Sequence, residues 1–164
     1  MIKKGIFRQY DIRGIVKTEL QDENLFDLAS GFATYFLKKG ESTVLLGYDN
    51  RISSEHIRDI LASVFNSFGL KVVDIGCVIT PMFYFAARTK NYKAGVMITA
   101  SHNSGEYNGF KVYHKDSTIF GDEILNIYNI IKDKSYTNIC SKNLYKEWEE
   151  NKSFISNTDK FDIL

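Results

Sequence analysis

The sequence predicts a three-layer α/β/α domain, in which a mixed and mainly parallel sheet carries helices on both faces. Strand-like apolar runs alternate with amphipathic helical segments along residues 22–132, and such alternation builds βαβ units around a parallel sheet. The length of 164 residues is that of one ordinary domain, and 44% of the residues are hydrophobic. That composition suffices for a single layered core.

The first two helix–strand pairs follow from spacing and capping signals. Apolar residues recur at helical spacing over 22–39, and the run 43–48 (TVLLGY) has strand character. A second helix is capped by Ser53 or Ser54 and precedes a second strand at 70–75. These four elements predict the first βαβ unit of the sheet.

The second half of the alternation contains a change of strand direction. The sole proline, Pro81, marks the start of a third helix that runs to about Thr89. Strands are predicted at 94–99 and 110–113, and a final helix at 121–132. Only ten residues separate the last two strands, which is short for a crossover helix. We therefore expect the fourth strand to run antiparallel to the third.

No helix or strand is predicted in most of the polar tail that follows the last helix. Its final residues, however, have the sequence signals of a helix start. Residues 157–164 (NTDKFDIL) read as the start of a helix with Thr158 or Asp159 as its cap. A helix of that length does not stand alone. We expect a domain over 1–155, followed at 156–164 by a linker and the start of a second domain.

Composition narrows the classes of function. Twenty-one basic and twenty acidic residues leave a net charge of +1, so we expect neither a nucleic-acid nor a membrane partner. No apolar run approaches the ~20 residues of a membrane span, and the N-terminus lacks the apolar region of a secretory signal. Cys77 and Cys140 are far apart and predict free thiols in a reducing, cytoplasmic setting.

Three loops are candidates for the functional site. They follow the three parallel strands and span residues 49–51, 76–81 and 101–108, and ligands of such sheets collect at the carboxyl ends of the strands. The last, here called the serine loop (residues 101–108), has the richest chemistry. With Lys111 it brings a hydroxyl, an imidazole, two amides and an ammonium group within eleven residues. This set is suited to binding an anion.

Each of these residues also has an ordinary structural interpretation. Ser101 is of a type that turns use in any case, and His102 is compatible with a simple hydrogen-bonded position. Lys111 is compatible with a solvated edge of the sheet. Asp49 and Arg51 can pair merely to hold their own loop. Because no acid–base dyad adjoins Ser101, acyl transfer needs partners from elsewhere, whereas phosphoryl transfer depends mainly on positioning and charge neutralisation.

Three separated motifs carry a family resemblance. Residues 99–103 (TASHN) with 107–111 (YNGFK) strongly resemble the active-serine loop of the α-D-phosphohexomutases, the phosphomannomutase/phosphoglucomutase enzymes. Residues 7–14 (FRQYDIRG) resemble the N-terminal signature of that family, and residues 47–54 (GYDNRISS) resemble its second loop. The resemblance covers residues 1 to about 155 and implies the N-terminal domain of such an enzyme.

The resemblance also implies roles for five residues. Ser101 carries a phosphoryl group, donates it to a hexose phosphate, and takes the other phosphate back from the bisphosphorylated intermediate. Phosphate thereby moves between C1 and C6. Tyr10 and Arg13 match positions that reach the substrate and the phosphoserine. His102 and Lys111 match polar neighbours of the serine, suited to proton transfer or charge stabilisation.

The resemblance further implies Mg²⁺, one ion per full-length enzyme, with the phosphate on Ser101 as a ligand and the remaining ligands in a second domain. A hexose 1,6-bisphosphate is the implied activator. Tyr107 and Asn108 are expected to shape the serine loop rather than contact substrate. One departure is that Ser104 and Gly105 stand where the family commonly has proline, so we expect a more flexible loop.

Three functions remain in competition at the level of sequence. The leading one is the catalytic-serine domain of a phosphomannomutase/phosphoglucomutase, whose partners are a hexose phosphate and the remaining domains of the same polypeptide. The chain on its own is expected to be inactive. The alternative is a stand-alone sugar-phosphate or anion-binding module without turnover. An α/β-hydrolase-like acyl transferase is a distant third, since the GxSxG motif is missing.

Overall fold

A seven-stranded mixed sheet forms the centre of the computed structural model, which describes residues 2–137 and the backbone of 158–160. A short 3₁₀ helix at Lys4–Ile6 precedes the sheet. The strands are β1 (Ile12–Ile15), β2 (Thr43–Tyr48), β3 (Lys71–Cys77), β4 (Ala94–Ile98), β5 (Tyr107–His114), β6 (Ser117–Thr118) and β7 (Thr158–Lys160). The helices are α1 (Asp22–Lys38), α2 (Ser54–Ser67), α3 (Thr80–Thr89) and α4 (Asp122–Lys132).

The sheet is parallel in its centre and antiparallel toward one side. Its order is β1-β5-β4-β2-β3-β7, with the short β6 paired to β5. Strands β4, β2, β3 and β7 run parallel, whereas β5 is antiparallel to both β4 and β1. The predicted fold class and the reversed direction of the fourth predicted strand are therefore confirmed.

Helices cover both faces of the sheet, three on one face and one on the other among the described residues. Strand β2 contributes to the core on each face, because its successive side chains point to opposite faces. Val44 and Leu46 join a large core beneath α1, α2 and α4, while Leu45 joins a smaller core beneath α3. Burial on both faces explains the nearly continuous apolar runs of the central strands.

The predicted helix start at 157–164 is wrong for the part that the structure describes. Thr158–Lys160 is strand β7, which pairs parallel with β3 opposite Val72–Asp74. Helix-start residue types are a weak local preference, and pairing with an open sheet edge overrides it. Strands β1 and β6 were likewise not predicted from sequence. Residues 138–157, with Cys140 and the expected boundary after 155, lie outside the described residues.

Within residues 2–137 and 158–160, no helix combines the length and apolar character needed to cross a membrane.

Candidate active site around Ser101

The carboxyl ends of the three predicted parallel strands meet at one edge of the sheet. The N–H of Asp49 donates to the carbonyl of Ile98 at 3.0 Å, and the N–H of Val78 donates to the carbonyl of Tyr48 at 2.8 Å. A cleft of about 650 Å³ opens there. Its walls come from all three loops: Asp49, Asn50, Cys77–Met82, Thr99, Ser101 and His102, above Met97 of β4.

Ser101 stands on a tight turn just after β4. Its backbone has a φ of +56°, a left-handed conformation that is uncommon for residues other than glycine. The N–H of Ser101 donates to Oγ1 of Thr99 at 2.9 Å, and the N–H of Asn103 donates to the carbonyl of Ala100 at 3.1 Å. While Thr99 and Ala100 are buried, Ser101 is exposed. The turn therefore lifts the hydroxyl out of the sheet toward solvent.

His102 lies directly beside this hydroxyl. Its Nδ1 is 3.5 Å from Oγ of Ser101, and both side chains are exposed. That distance is at the long limit of a hydrogen bond, so the imidazole neighbours the hydroxyl without fixing its orientation.

Arg13 and Lys111 converge on one carboxylate, that of Asp11. Oδ2 of Asp11 lies 2.6 Å from Nη2 of Arg13 and 3.7 Å from Nζ of Lys111. Nη1 of Arg13 donates to Oδ1 of Asn103 at 2.5 Å. This group, here called the Asp11 cluster (Asp11, Arg13 and Lys111), thus holds two cations against one anion and touches the serine loop. Its side chains are only 9%, 11% and 22% exposed respectively, which limits screening by water.

Arg13 and Lys111 were candidates from sequence, but their contacts with Asp11 and Asn103 were not predicted. A signal for Asp11 was available, because residues two apart on an extended chain point to the same side. An acid two positions before Arg13 was therefore a predictable partner. The bond to Asn103 joins residues 90 positions apart, and no local pattern reveals it.

Gly109 allows the strands that carry these residues to come close. It lies opposite Arg13 in the β1–β5 pairing. A Cβ atom at this position would lie 3.0 Å from Cγ of Arg13 and 3.1 Å from the carbonyl oxygen of Thr99, and closer still to that of Ile12. Glycine is therefore required where β1, β5 and the turn after β4 meet.

Tyr10, the predicted substrate contact, is 66% exposed. Its ring centroid lies 6.4 Å from that of Phe120, itself an exposed aromatic residue. Tyr10 directly precedes Asp11, so the chain places an exposed aromatic ring next to the Asp11 cluster. In the structure its ring contacts Phe120.

Arg51 does more than pair with its own loop. Nε of Arg51 donates to Oδ2 of Asp49 at 3.2 Å, so the pairing considered from sequence exists. The guanidinium then crosses to the serine loop, where Nη1 donates to the carbonyls of Ser104 (2.7 Å) and Tyr107 (3.0 Å). Nη2 donates to the carbonyls of Ser101 (3.0 Å) and Asn103 (2.6 Å). These four bonds from Arg51 to the serine loop were not predicted from sequence.

Asn108 closes the serine loop from below. It is fully buried, and its Nδ2 donates to Oγ of Ser53 at 2.9 Å and to Oγ of Ser54 at 3.0 Å. Its Oδ1 accepts the N–H of Gly109 at 2.8 Å. With these contacts Asn108 shapes the loop, in agreement with the interpretation from sequence.

The described residues offer little to a metal ion. Within 2–137 and 158–160, no three His, Cys, Asp or Glu side chains come together as a possible metal-binding group. Cys77 is a free, exposed thiol in the wall of the cleft, as predicted. A phosphate on Ser101 would add an oxygen ligand but no full coordination shell.

Comparison with known proteins gives consistent results. Residues 4–138 match the family model described as phosphoglucomutase/phosphomannomutase, alpha/beta/alpha domain I. The chain is 38% identical over 135 residues to a phosphoglucomutase of Neisseria meningitidis serogroup B, with 82% of this chain and 29% of the relative covered. It is 36% identical over 132 residues to a phosphomannomutase/phosphoglucomutase of Pseudomonas syringae pv. tomato, with coverage of 80% and 28%.

Two further proteins, one compared by sequence and one by structure, belong to the same group of enzymes by their names. A probable phosphoglucosamine mutase of Pyrococcus furiosus is 36% identical over 129 residues, with 78% of this chain and 28% of the relative covered. The crystal structure of a phosphoglucomutase/phosphomannomutase family protein from Burkholderia thailandensis superposes with a TM-score of 0.81 at 27% identity, covering 99% of this chain and 34% of that one. The chain thus spans about a third or less of the length of these relatives.

Proposed function

Because the chain belongs to the phosphoglucomutase/phosphomannomutase family and matches its domain I, we propose that it is the catalytic-serine domain of a phosphohexomutase. Ser101 carries the phosphoryl group that such an enzyme moves between C1 and C6 of a hexose phosphate. The observation that supports this most is the bond from Arg13 to Asn103. It attaches a partly buried pair of cations to the loop that exposes the Ser101 hydroxyl.

The proposed transfer begins with phosphorylated Ser101. The bond between phosphorus and Oγ of Ser101 breaks, and a bond forms between phosphorus and a hydroxyl oxygen of the hexose phosphate. The proton of that hydroxyl ends on Oγ of Ser101, and His102 is close enough to relay it. The resulting bisphosphate turns over in the site and returns its other phosphoryl group to Ser101 by the reverse step.

Arg13 and Lys111 supply the positive charge for this step. Phosphoryl transfer is catalysed chiefly by positioning and by neutralising charge on the phosphoryl oxygens. The Asp11 cluster retains one positive charge after Asp11 is counted, and its low exposure strengthens the effect of that charge. Tyr10 offers an exposed ring for contact with the substrate.

Mg²⁺ and a hexose 1,6-bisphosphate activator belong to the same proposal. The described residues do not form a magnesium site, since a phosphate on Ser101 is their one proposed ligand. The other ligands must therefore come from outside the described residues. The relatives are about three times as long as this chain, and we propose that the remaining domains of a longer polypeptide supply them. A cytoplasmic location stays a prediction.

The alternative, a sugar-phosphate or anion-binding module without turnover, is favoured by the same lack of metal ligands within the described residues. The two functions differ in a covalent product, since only the mutase domain accepts a phosphoryl group on Ser101.

Phosphorylation of the full-length protein tests the proposal. The protein is incubated with a hexose 1,6-bisphosphate and analysed by intact mass and peptide mapping. We expect one phosphoryl group on Ser101, none on the Ser101→Ala variant, and full phosphorylation of Ser104→Ala, which removes an exposed hydroxyl from the same loop. Undiminished phosphate on Ser101→Ala overturns the proposal, whereas binding of the bisphosphate without phosphorylation of the wild type supports the binding module.

A further inference from the structure

We infer that Arg51 is a positioning residue of this site, because it holds the serine loop in the shape that presents Ser101. The inference rests on the proposed function for its catalytic consequence, but its structural part stands on the contacts alone. Arg51 lies in the loop after β2, whereas Ser101 follows β4. The two are brought together because β2 and β4 are neighbours in the sheet.

The guanidinium of Arg51 uses every donor that it has. An arginine offers five N–H groups in a fixed planar fork. In Arg51 one of them meets the carboxylate of Asp49, and the other four meet backbone carbonyls of the serine loop. Its side chain is only 12% exposed. No donor remains for a substrate, so Arg51 acts through the loop and not by direct contact.

The orientation of this fork is itself fixed. Oδ1 of Asp49 accepts the N–H of Arg51 at 3.1 Å and the hydroxyl of Ser54 at 2.7 Å, and Oδ2 accepts from Nε of Arg51. Ser54 is fully buried at the start of α2. The arginine is therefore anchored to a rigid helix and strand before it reaches the serine loop.

The four carbonyls that Arg51 binds are spread along the serine loop, from Ser101 to Tyr107. One of them belongs to Ser101, whose left-handed φ of +56° is unfavourable for a serine. A bond to this carbonyl helps to hold the strained turn. Neither Ser104 nor Gly105 fixes its φ as a proline does, so the shape of this loop depends on such bonds.

The same bonds have an electrostatic consequence. Carbonyl oxygens are the negative ends of the peptide dipoles, and a phosphoserine carries a charge of about −1.5 to −2 at neutral pH. By drawing four of these oxygens to its own positive charge, Arg51 offsets a repulsion that loose carbonyls would exert on phosphorylated Ser101. Lysine cannot replace this function, because an ammonium group has three donors and no planar fork.

Variants of the full-length protein test this inference. Arg51→Lys keeps the charge but loses the fork, and Arg58→Lys is the matched control. Arg58 is likewise partly buried, at 21% exposure, and is bound to a carboxylate, Oδ2 of Asp74 at 2.6 Å. We expect Arg51→Lys to lower the rate of Ser101 phosphorylation by roughly 10²-fold, the effect of a small misplacement of a reacting group. Because Arg51 has no donor left for substrate, KM should stay within about threefold.

Chemical rescue separates positioning from a general loss of structure. Added guanidinium ion at millimolar concentration should restore part of the phosphorylation rate of Arg51→Ala, and methylammonium should not. An Arg51→Lys variant as fast as the wild type, or slowed no more than Arg58→Lys, overturns the inference.

Hydrogen exchange keeps the inference testable even if the proposed function fails. The backbone N–H groups of Asn103 and Tyr107, both in the serine loop, donate to the carbonyls of Ala100 and Ser104 respectively. In Arg51→Lys we expect these two amides to lose protection while the amides of β2 and β4 keep theirs. An unphosphorylated wild type would overturn the mutase proposal alone. Unchanged protection of Asn103 and Tyr107 would overturn the role of Arg51.

Discussion

The carboxylate of Asp11 lies 2.6 Å from the guanidinium of Arg13, at the edge where β1 begins. This contact leaves Nη1 of Arg13 directed to Asn103 in the serine loop. Lys111 reaches the same carboxylate from β5. One acid thus fixes two cations that belong to different strands, Arg13 of β1 and Lys111 of β5.

Removal of Lys111 tests whether this lysine, one of the two cations beside Asp11, contributes to catalysis. In the full-length enzyme, Lys111→Ala should lower kcat by about 10²–10³, as the loss of one preorganised electrostatic stabiliser does. Steady-state kinetics with a hexose 1-phosphate measure this. Lys38→Ala removes an exposed charge from α1 and should leave kcat unchanged. If Lys111→Ala also retains its kcat, Lys111 does not supply charge to the transferring phosphoryl group, and its ion pair with Asp11 is structural only.

Asp11→Asn should destabilise the fold, because it leaves Arg13 and Lys111 close together without their anion. Removing one partner of a buried ion pair costs about 3–5 kcal/mol, and the Asp11 side chain is 9% exposed. Urea unfolding of this chain gives the change in free energy. Lys3→Ala, which breaks an ion pair whose lysine is 69% exposed, should cost about 0–1 kcal/mol. Equal losses in the two variants would contradict the prediction.

Gly109→Ala should be poorly tolerated, because the added Cβ meets the backbone of β1 and of the turn after β4. Overpacking of this kind costs about 1–3 kcal/mol. Gly105→Ala is the matched control, since a Cβ there has nothing within 4 Å, and it should change stability by less than about 0.5 kcal/mol. Thermal and urea unfolding of the two variants decide between these outcomes.

Tyr35 makes stability depend on alkaline pH. Its burial raises the pKa of the phenol, and the hydrogen bond to Glu123 and the charge of Glu123 raise it further. A raised pKa in the folded state gives stability that is complete below the unfolded pKa of about 10 and is lost above it.

The wild type and Tyr35→Phe should differ in free energy of unfolding by a constant amount from pH 8 to about pH 10. The advantage of the wild type should shrink at higher pH. Urea unfolding across this range measures it. Other tyrosines with raised pKa values, such as Tyr48 and Tyr113, are present in both proteins and cancel. A difference that stays constant to pH 11 would contradict the assignment to Tyr35.

This chain by itself should show no mutase activity, although its described residues form a packed hydrophobic core. The described residues contain no metal-binding group, and the chain covers about a third or less of its relatives. A coupled assay with glucose 1-phosphate or mannose 1-phosphate, a bisphosphate activator and Mg²⁺ measures this. Turnover near 1 s⁻¹, which lies in the ordinary enzyme range, would show that the site is self-sufficient.

Much of the fold was predictable because the central elements carry strong periodic signals. The helix predicted over 22–39 is α1 at Asp22–Lys38, and the strand predicted over 43–48 is β2 with the same bounds. β1 is only four residues long, and β7 only three, with polar residues. Their strand character comes from pairing with distant strands, which local spacing does not reveal.

In the site, too, local features were predictable from sequence and contacts between distant residues were not. Ser101 and its neighbours stand together in sequence, so their common location was predictable. The reach of Arg51 depends on the adjacency of β2 and β4 and joins residues more than fifty positions apart. From sequence it could be paired with Asp49 but not with the serine loop.

Strand β7 has a practical consequence for anyone who shortens this chain. The family match ends at residue 138, but Thr158–Lys160 still pairs with β3. A version cut between these points would leave Val72–Asp74 as a bare outer strand, with unpaired backbone groups beside the apolar side chains of Val72 and Val73. Such edges recruit the same edge of another molecule and lead to aggregation. Poor solubility of a protein trimmed to the family boundary would therefore reflect a missing neighbour of β3 and not a defect in the core.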